Sequence, residues 1–239
     1  MKSTLKPGAR TPGARTPRFR ALRDALRARP EPWRAAAWQV QSLLLAYPDD
    51  EFTPYPALAR QVAEVLPDRV RDPLLGFTAH AERTGRAELA AAYVAVFDHR
   101  RRCCPYLTYH AHGDTRKRGV ALLRVKRAYA AAGWRLNDEE LPDHLAVVLE
   151  FAAAEPAAGQ RLLTEHRAAL ELLRLALREE SSPWAALLDS VSATLPGLAG
   201  DERAAVARLA AEGPPEEHVG LDPYAPPAFP PDAAAGGPR

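Results

Sequence analysis

The stretch PWRAAAWQVQSLLLAYP, residues 32–48, decides the fold class. A proline stands at its front, where the missing N–H costs a helix nothing because that donor would be unpaired anyway. At its far end the pair Tyr47-Pro48 stops the helix. The same punctuation returns at Pro56 before ALARQVAEVL, Pro73 before LLGFTAHAERT and Pro183 before WAALLDSVSATL. Asp72 and Ser182, each just ahead of its proline, read as N-caps, and Gly85 and Gly133 as C-terminal glycines. No segment alternates apolar and polar residues over the length of a strand. The reading is therefore all-α: a single compact multi-helix domain of eight or nine helices. Their expected spans are 33–46, 56–66, 73–84, 87–98, 115–132, 142–154, 157–179, 183–195 and 201–211.

Outward from this body the chain changes character. Residues 1–34 hold ten basic side chains against Asp24 and Glu31, a local net of +8, while the 239-residue whole carries only +2. The protein thus reads as an acidic body with a basic arm. The arm, with GARTP twice in succession, is too rich in glycine, proline and like charge to offset its ordering entropy. Residues 213–239, with eight prolines, read the same way. The expected organisation is a disordered basic arm over 1–32, a helical domain over 33–211 and a disordered Pro-rich tail over 212–239. Two cysteines exclude a disulfide-rich secreted scaffold. No apolar run approaches the roughly 18 residues of a membrane span, and the arm lacks a secretory apolar stretch. A cytoplasmic protein without stable membrane insertion is the expectation.

Candidate chemistry concentrates in FDHRRRCCPYLTYHAHGDTRKRG, residues 97–119. His99, Cys103, Cys104, His110 and His112 invite a zinc reading. Adjacent cysteines, however, do not chelate one tetrahedral ion easily, so no metal site is expected. There is no GxSxG, no phosphate-cradling glycine loop and no HExxH helix, and the chain reads as a non-enzyme. In GDTRKRG, Asp114 reads as an N-cap, and Arg116, Lys117 and Arg118 occupy a first turn where the macrodipole favours acids. Arg118 shares a face with Leu122, Val125 and Tyr129, so it requires a carboxylate: Asp98, Asp143 or Glu150. Either an internal ion pair or a ligand-facing role would account for it. In ELPDHLAVVLEFAA, residues 140–153, Pro142 is expected to start a helix. His144, near its positive end, is expected neutral and hydrogen-bonding.

Three segments together, LLLAYPDDEF (43–52), AAYVAVFDHRRRCCPYLTYHAHGDTRKRGVALLRVKRAYAAAGW (91–134) and ELPDHLAVVLEFAA (140–153), resemble the NarJ-type nitrate reductase assembly chaperones of the redox-enzyme maturation family. The resemblance implies an all-helical fold that binds the apo catalytic (alpha) subunit of nitrate reductase through its N-terminal peptide. It also implies that the subunit is held until bis-molybdopterin guanine dinucleotide is inserted, that the chaperone itself keeps no stable cofactor, and that molybdenum cofactor biosynthesis proteins are further partners. An acidic body suits a basic, apolar helix docking in a groove. Tyr47, Tyr93, Phe97, Leu145 and Phe151 are the expected lining, Asp49, Asp50, Asp98 and Asp143 the rim, with Arg116, Arg118 and His144 completing the set. The groove is expected between the helices 87–98 and 142–154. The alternative is a nucleic-acid or anionic-surface binder acting through the arm, which the chaperone reading does without.

Overall fold

Alanine- and leucine-rich segments punctuated by proline form eleven α-helices among residues 5–7, 31–136 and 140–212, the part of the chain that the computed structural model describes. In chain order these are α1 (Pro32–Leu44), α2 (Tyr55–Ala63), α3 (Asp68–Arg83), α4 (Arg86–Tyr93), α5 (Leu107–His112), α6 (Arg116–Ala131), α7 (Leu145–Ala154), α8 (Pro156–Glu165), α9 (Arg167–Glu179), α10 (Trp184–Ala193) and α11 (Gly200–Glu212). One π-helical turn, Val94–Asp98, prolongs α4, and single 3-10 turns cover Asp50–Phe52 and Arg101–Cys103. Two three-residue strands, β1 (Leu5–Pro7) and β2 (Trp134–Leu136), pair antiparallel. The rest of the basic arm and the Pro-rich tail lie outside the described residues.

The helix count exceeds the expected eight or nine for local reasons. The segment read as one helix over 157–179 divides at His166, which closes α8 and opens α9. The loop before GDTR contains the short helix α5. Pro73 does not start α3 but lies inside it, behind an extra turn whose exposed end begins at Asp68 after the N-cap Pro67. Asp72 and Ser182 are accordingly not caps, and Gly85 precedes α4 rather than closing α3. Gly133, just past α6, does take a left-handed φ of 84°.

The core is built around α7, whose LAVVLEFAAA sequence is apolar almost all round and buried on nearly every side. It packs on α1 and α8, while α10 packs on α3, α9 and α1. Buried polar side chains pin these helices in register. Trp38 Nε1 donates to Thr194 Oγ1 at 2.8 Å, and Gln41 Nε2 to Ser190 Oγ at 2.8 Å. Ser42 Oγ donates to the Ala146 carbonyl at 2.7 Å, and Ser190 Oγ to the Val70 carbonyl at 2.7 Å. Buried groups of this kind must be paired, so α1 fits its neighbours in one setting. A second network, Arg167–Glu171–Arg174–Asp189, runs from buried Arg167 and Glu171 to half-buried Arg174 and Asp189 and ties α9 to α10.

The α7–α8 corner depends on a glycine. A Cβ at Gly159 would lie 2.1 Å from the Ala152 Cα, whereas one at Gly119, on the solvent side of α6, would meet nothing within 4 Å. Gly159→Ala is expected to lower stability by about 1–3 kcal/mol through overpacking. Gly119→Ala, freed of a helix-interior glycine, is expected to raise it by about 0.5–1 kcal/mol. Urea denaturation of the two variants reads both signs.

Candidate functional site

The segments singled out around residues 105–112 and 140–145 meet in space. The Leu107 amide donates to the Asp143 carbonyl at 3.0 Å, and the Leu145 amide to the Pro105 carbonyl at 2.9 Å, which makes Tyr106 and His144 an antiparallel bridge. The two side chains stack edge-on, with centroids 5.2 Å apart. Tyr106 also donates its hydroxyl to Glu140 Oε1 at 3.0 Å. From the other side, Tyr129 of α6 donates to the Pro142 carbonyl at 2.6 Å and packs its ring on Phe151.

Asp143 lies at the centre of this junction. It has no exposed surface. Its Oδ2 accepts from the Thr108 amide at 3.0 Å and from the Thr108 hydroxyl at 2.5 Å. The Arg118 guanidinium lies 3.9 Å from the same oxygen, reaches Thr108 Oγ1 at 3.4 Å, and pairs with Asp114 at 3.1 Å. Arg118 therefore finds its carboxylate on the 140–150 segment, and Asp114, which does not cap α6 (Thr115 holds that position), serves it instead. The guanidinium also sits over Tyr106 and Tyr109, at 5.6 and 5.8 Å from the ring centroids.

His144 departs from the expectation in one respect. Helix α7 begins at Leu145, not at Pro142, and His144 is its N-cap, its Nδ1 accepting from the Ala146 amide at 3.2 Å. Pro142 and Asp143 are drawn out of the helix by the bridge to Pro105–Leu107. Burial holds the His144 imidazole well below its ordinary pKa of 6.5, against the opposing pull of Glu140 and Asp143. The neutral ring read from the sequence is thus what the cap uses.

The remaining expected site residues separate into two layers. Phe97, Leu145 and Phe151 are core, and Asp143 lies beneath the surface rather than on a rim. No open groove lies along Leu145 and Phe151, because α1 and α8 cover α7. Tyr47, by contrast, is half exposed and stands edge-on to Tyr93 at 5.6 Å. Tyr93 in turn contacts Phe97 and Trp184, and its hydroxyl reaches the Leu45 carbonyl at 3.3 Å. Burial raises the Tyr93 phenol, and the charges of Asp98 and Glu140 near it add to the shift. Tyr47, Tyr106, Asp98 and Glu140 are thus gathered around Tyr93, with Leu141 exposed next to Glu140 in the chain and Asp49, beside Tyr47, accepting from the Glu51 amide. Asp50 is turned to Arg86 at 2.9 Å, and Arg116 is exposed at the start of α6.

Sequence reasoning missed Tyr106, Glu140 and Leu141 at the surface and Thr108, the buried partner of Asp143. The only signal was the polar density of PYLTYH next to a proline. Among the described residues no group of His, Cys, Asp or Glu is arranged to hold a metal ion. Burial pushes the Cys103 thiol up to about 11 and raises Cys104 as well, the opposite of what a thiolate ligand or nucleophile needs. An open apolar cleft does exist elsewhere, between α9 and α11, lined by Leu172, Leu175, Ala176 and Leu209 with Arg101 and Arg102 at its edge.

Fold and site together define an all-helical protein in which one buried carboxylate, Asp143, joins the α5–α6 loop region to the entry of α7. The chain belongs to the nitrate reductase delta subunit family, whose model matches residues 60–189, more than half of its length. It is 31% identical over 167 residues to a protein of Bacillus subtilis described as a probable nitrate reductase molybdenum cofactor assembly chaperone, NarJ, covering 69% of this chain and 91% of that one. It is 38% identical over 169 residues to the nitrate reductase-like protein NarX of Mycobacterium tuberculosis, covering 68% of this chain but only 24% of that larger relative. A solved chain from Archaeoglobus fulgidus, described as a candidate redox enzyme maturation protein, shares the fold at a TM-score of 0.51 and 24% identity, over 66% of this chain and 91% of that one.

Acid should loosen the corner. Burial lowers the folded-state pKa of His110, His144 and His166, so below 6.5 the unfolded chain takes up protons that the native state resists. Stability from this source is complete above 6.5 and is lost as pH falls toward the depressed folded values, with a limiting slope of about 1.4 kcal/mol per pH unit per histidine. His144→Asn, which keeps a capping acceptor but does not titrate, should reduce that slope without abolishing it. Urea midpoints measured across the weakly acidic range check this.

Proposed function

We propose that this chain is a dedicated assembly chaperone, and not an enzyme, for a molybdenum-containing nitrate reductase. It binds the N-terminal peptide of the apo catalytic subunit and keeps that subunit competent for insertion of bis-molybdopterin guanine dinucleotide. It holds no stable cofactor, acts in the cytoplasm and cooperates with molybdenum cofactor biosynthesis proteins. The correspondence with 91% of the length of the Bacillus subtilis relative carries this reading.

The geometry supports a binding face rather than a reaction centre. Tyr47 is an aromatic anchor held from behind by Tyr93, and Leu141 adds a second exposed apolar contact. Asp49, Asp98 and Glu140 supply negative charge around them, which suits a client helix with apolar and basic residues. Phe97, Asp143, His144, Leu145 and Phe151 act from below by keeping Tyr93, Tyr106 and Glu140 in place. Arg118 belongs to that support as well. Arg116 is the exposed cation of the set, and its contribution to a basic client would be unfavourable.

Tyr47→Ala and Leu141→Ser are each expected to weaken a synthetic N-terminal peptide of the catalytic subunit by about 1–3 kcal/mol, with the fold intact. Phe151→Ala should instead cost about 3–5 kcal/mol of stability, because its ring is entirely buried. Titration calorimetry on folded variants decides between them. Unchanged affinity in the Tyr47 and Leu141 variants would move the peptide to the cleft between α9 and α11, and no binding by the wild-type chain would remove the chaperone reading.

A further inference from the structure

The outer face of α6 has no use in the account above. Its inward face is Arg118, Ala121, Leu122, Val125 and Tyr129, which pack on the protein. At helical spacing the opposite face is the stripe Arg116, Val120, Leu123, Arg127, at intervals of four, three and four residues. Val120 and Leu123 are each 55% exposed, side by side at its middle. Lys117 and Arg124 flank the stripe on one side and Lys126 on the other, all exposed. Lys117, Arg124, Lys126 and Arg127 pair with no carboxylate among the described residues, and α6 contains no acidic residue.

A second observation adds charge at the same place. β2 follows α6 directly and packs against it, and β1 pairs with β2 in the register Leu5–Leu136, Lys6–Arg135, Pro7–Trp134. That pairing brings Leu5–Pro7 alongside the strand that leaves α6, on which Arg135 is exposed.

We propose that the outer face of α6 is a docking surface for an anionic phospholipid bilayer, on which the protein rests peripherally. A single convex helix face encloses no small molecule. Phosphate-rich nucleic acid would use the cations but leave Val120 and Leu123 facing water. A bilayer surface uses both: the aliphatic pair enters the headgroup boundary, while Lys and Arg stems lie along it with their charges at the lipid phosphates. The unpaired cations of α6 add long-range attraction that salt weakens. No helix among the described residues is long and apolar enough to cross a membrane, and this mode of contact requires none.

The test is co-sedimentation of the full-length chain with vesicles of phosphatidylcholine alone and of phosphatidylcholine mixed with phosphatidylglycerol. The wild type should bind the anionic vesicles at least about tenfold better than the neutral ones, and less well as salt is raised. Val120→Ser with Leu123→Ser, and separately Arg124→Glu with Arg127→Glu, should each reduce that binding several-fold. Both pairs are solvent-facing, so thermal melts should match the wild type and binding of the client peptide should be unaffected. That last readout separates failure here from failure of the chaperone reading. No preference for anionic vesicles, or binding equal to the wild type's in both double variants, would overturn the proposal. So would a serine double variant that binds as the wild type does while duplex DNA competes fully for the vesicles, since the face would then read phosphate charge alone.

Discussion

A carboxylate with no exposed surface must be held by donors, and Asp143 obtains its donors from another part of the chain. Thr108 supplies two from the start of α5, and Arg118 approaches from α6. Holding this one group by its Oδ2, with Oδ1 buried and unpartnered, therefore fixes the loop that follows the two cysteines, the start of α6 and the entry to α7 relative to one another. The backbone bridge between Tyr106 and His144 belongs to the same junction, as does the Tyr129 bond to Pro142. Once the chain is extended through Asp143, α7 cannot begin before Leu145, and His144 falls in the capping position.

This constraint sets what the outer surface offers. Tyr106 stands over His144 with its hydroxyl on Glu140, and Tyr47 stands over Tyr93, so two aromatic side chains and a carboxylate are presented on a rigid base. Beneath them Thr108, Asp143 and Arg118 engage one another, although the second Asp143 oxygen, Oδ1, is buried without a hydrogen-bond partner. A preorganised face of this kind suits recognition of a segment from another protein, because little ordering remains for binding to bring about. The cationic face of α6 is a separate surface, and its charge is of the wrong sign for a basic client.

Much of the fold was legible in the sequence because proline and helix-forming composition act locally. Pro32 opens α1 where its missing donor does no harm, and Gly133 ends α6 with the left-handed turn expected of it. Arg118 was legible in part: a cation on the buried stripe of a helix requires a carboxylate, and Asp143 lies 3.9 Å away, but the nearer partner at 3.1 Å is Asp114, which reads from the sequence as a cap. What escaped was tertiary. Nothing local in LPDH shows that Asp143 is spent on Thr108, so the helix start was placed three residues early. The break at His166 has neither glycine nor proline to mark it, and Pro73 is tolerated inside α3 because the turn ahead of it is exposed. Leu145 and Phe151 look like groove residues on a helical wheel, yet α7 is covered by neighbours on nearly all sides. Pattern identifies an apolar residue without telling whether a protein helix or a partner will cover it.

The central claim is that the buried Asp143 carboxylate couples α6 to the entry of α7 through Arg118. A double-mutant cycle measures it: Arg118→Ala, Asp143→Asn and the combination, each by chemical denaturation. With the pair intact, Arg118→Ala alone should cost about 3 kcal/mol, largely from the carboxylate left behind. The combined variant should then recover at least about 1 kcal/mol relative to the sum of the singles. Simple additivity of the two losses would contradict the account, because the junction would then be held by the Thr108 hydrogen bonds and the backbone bridge without the charge of Arg118.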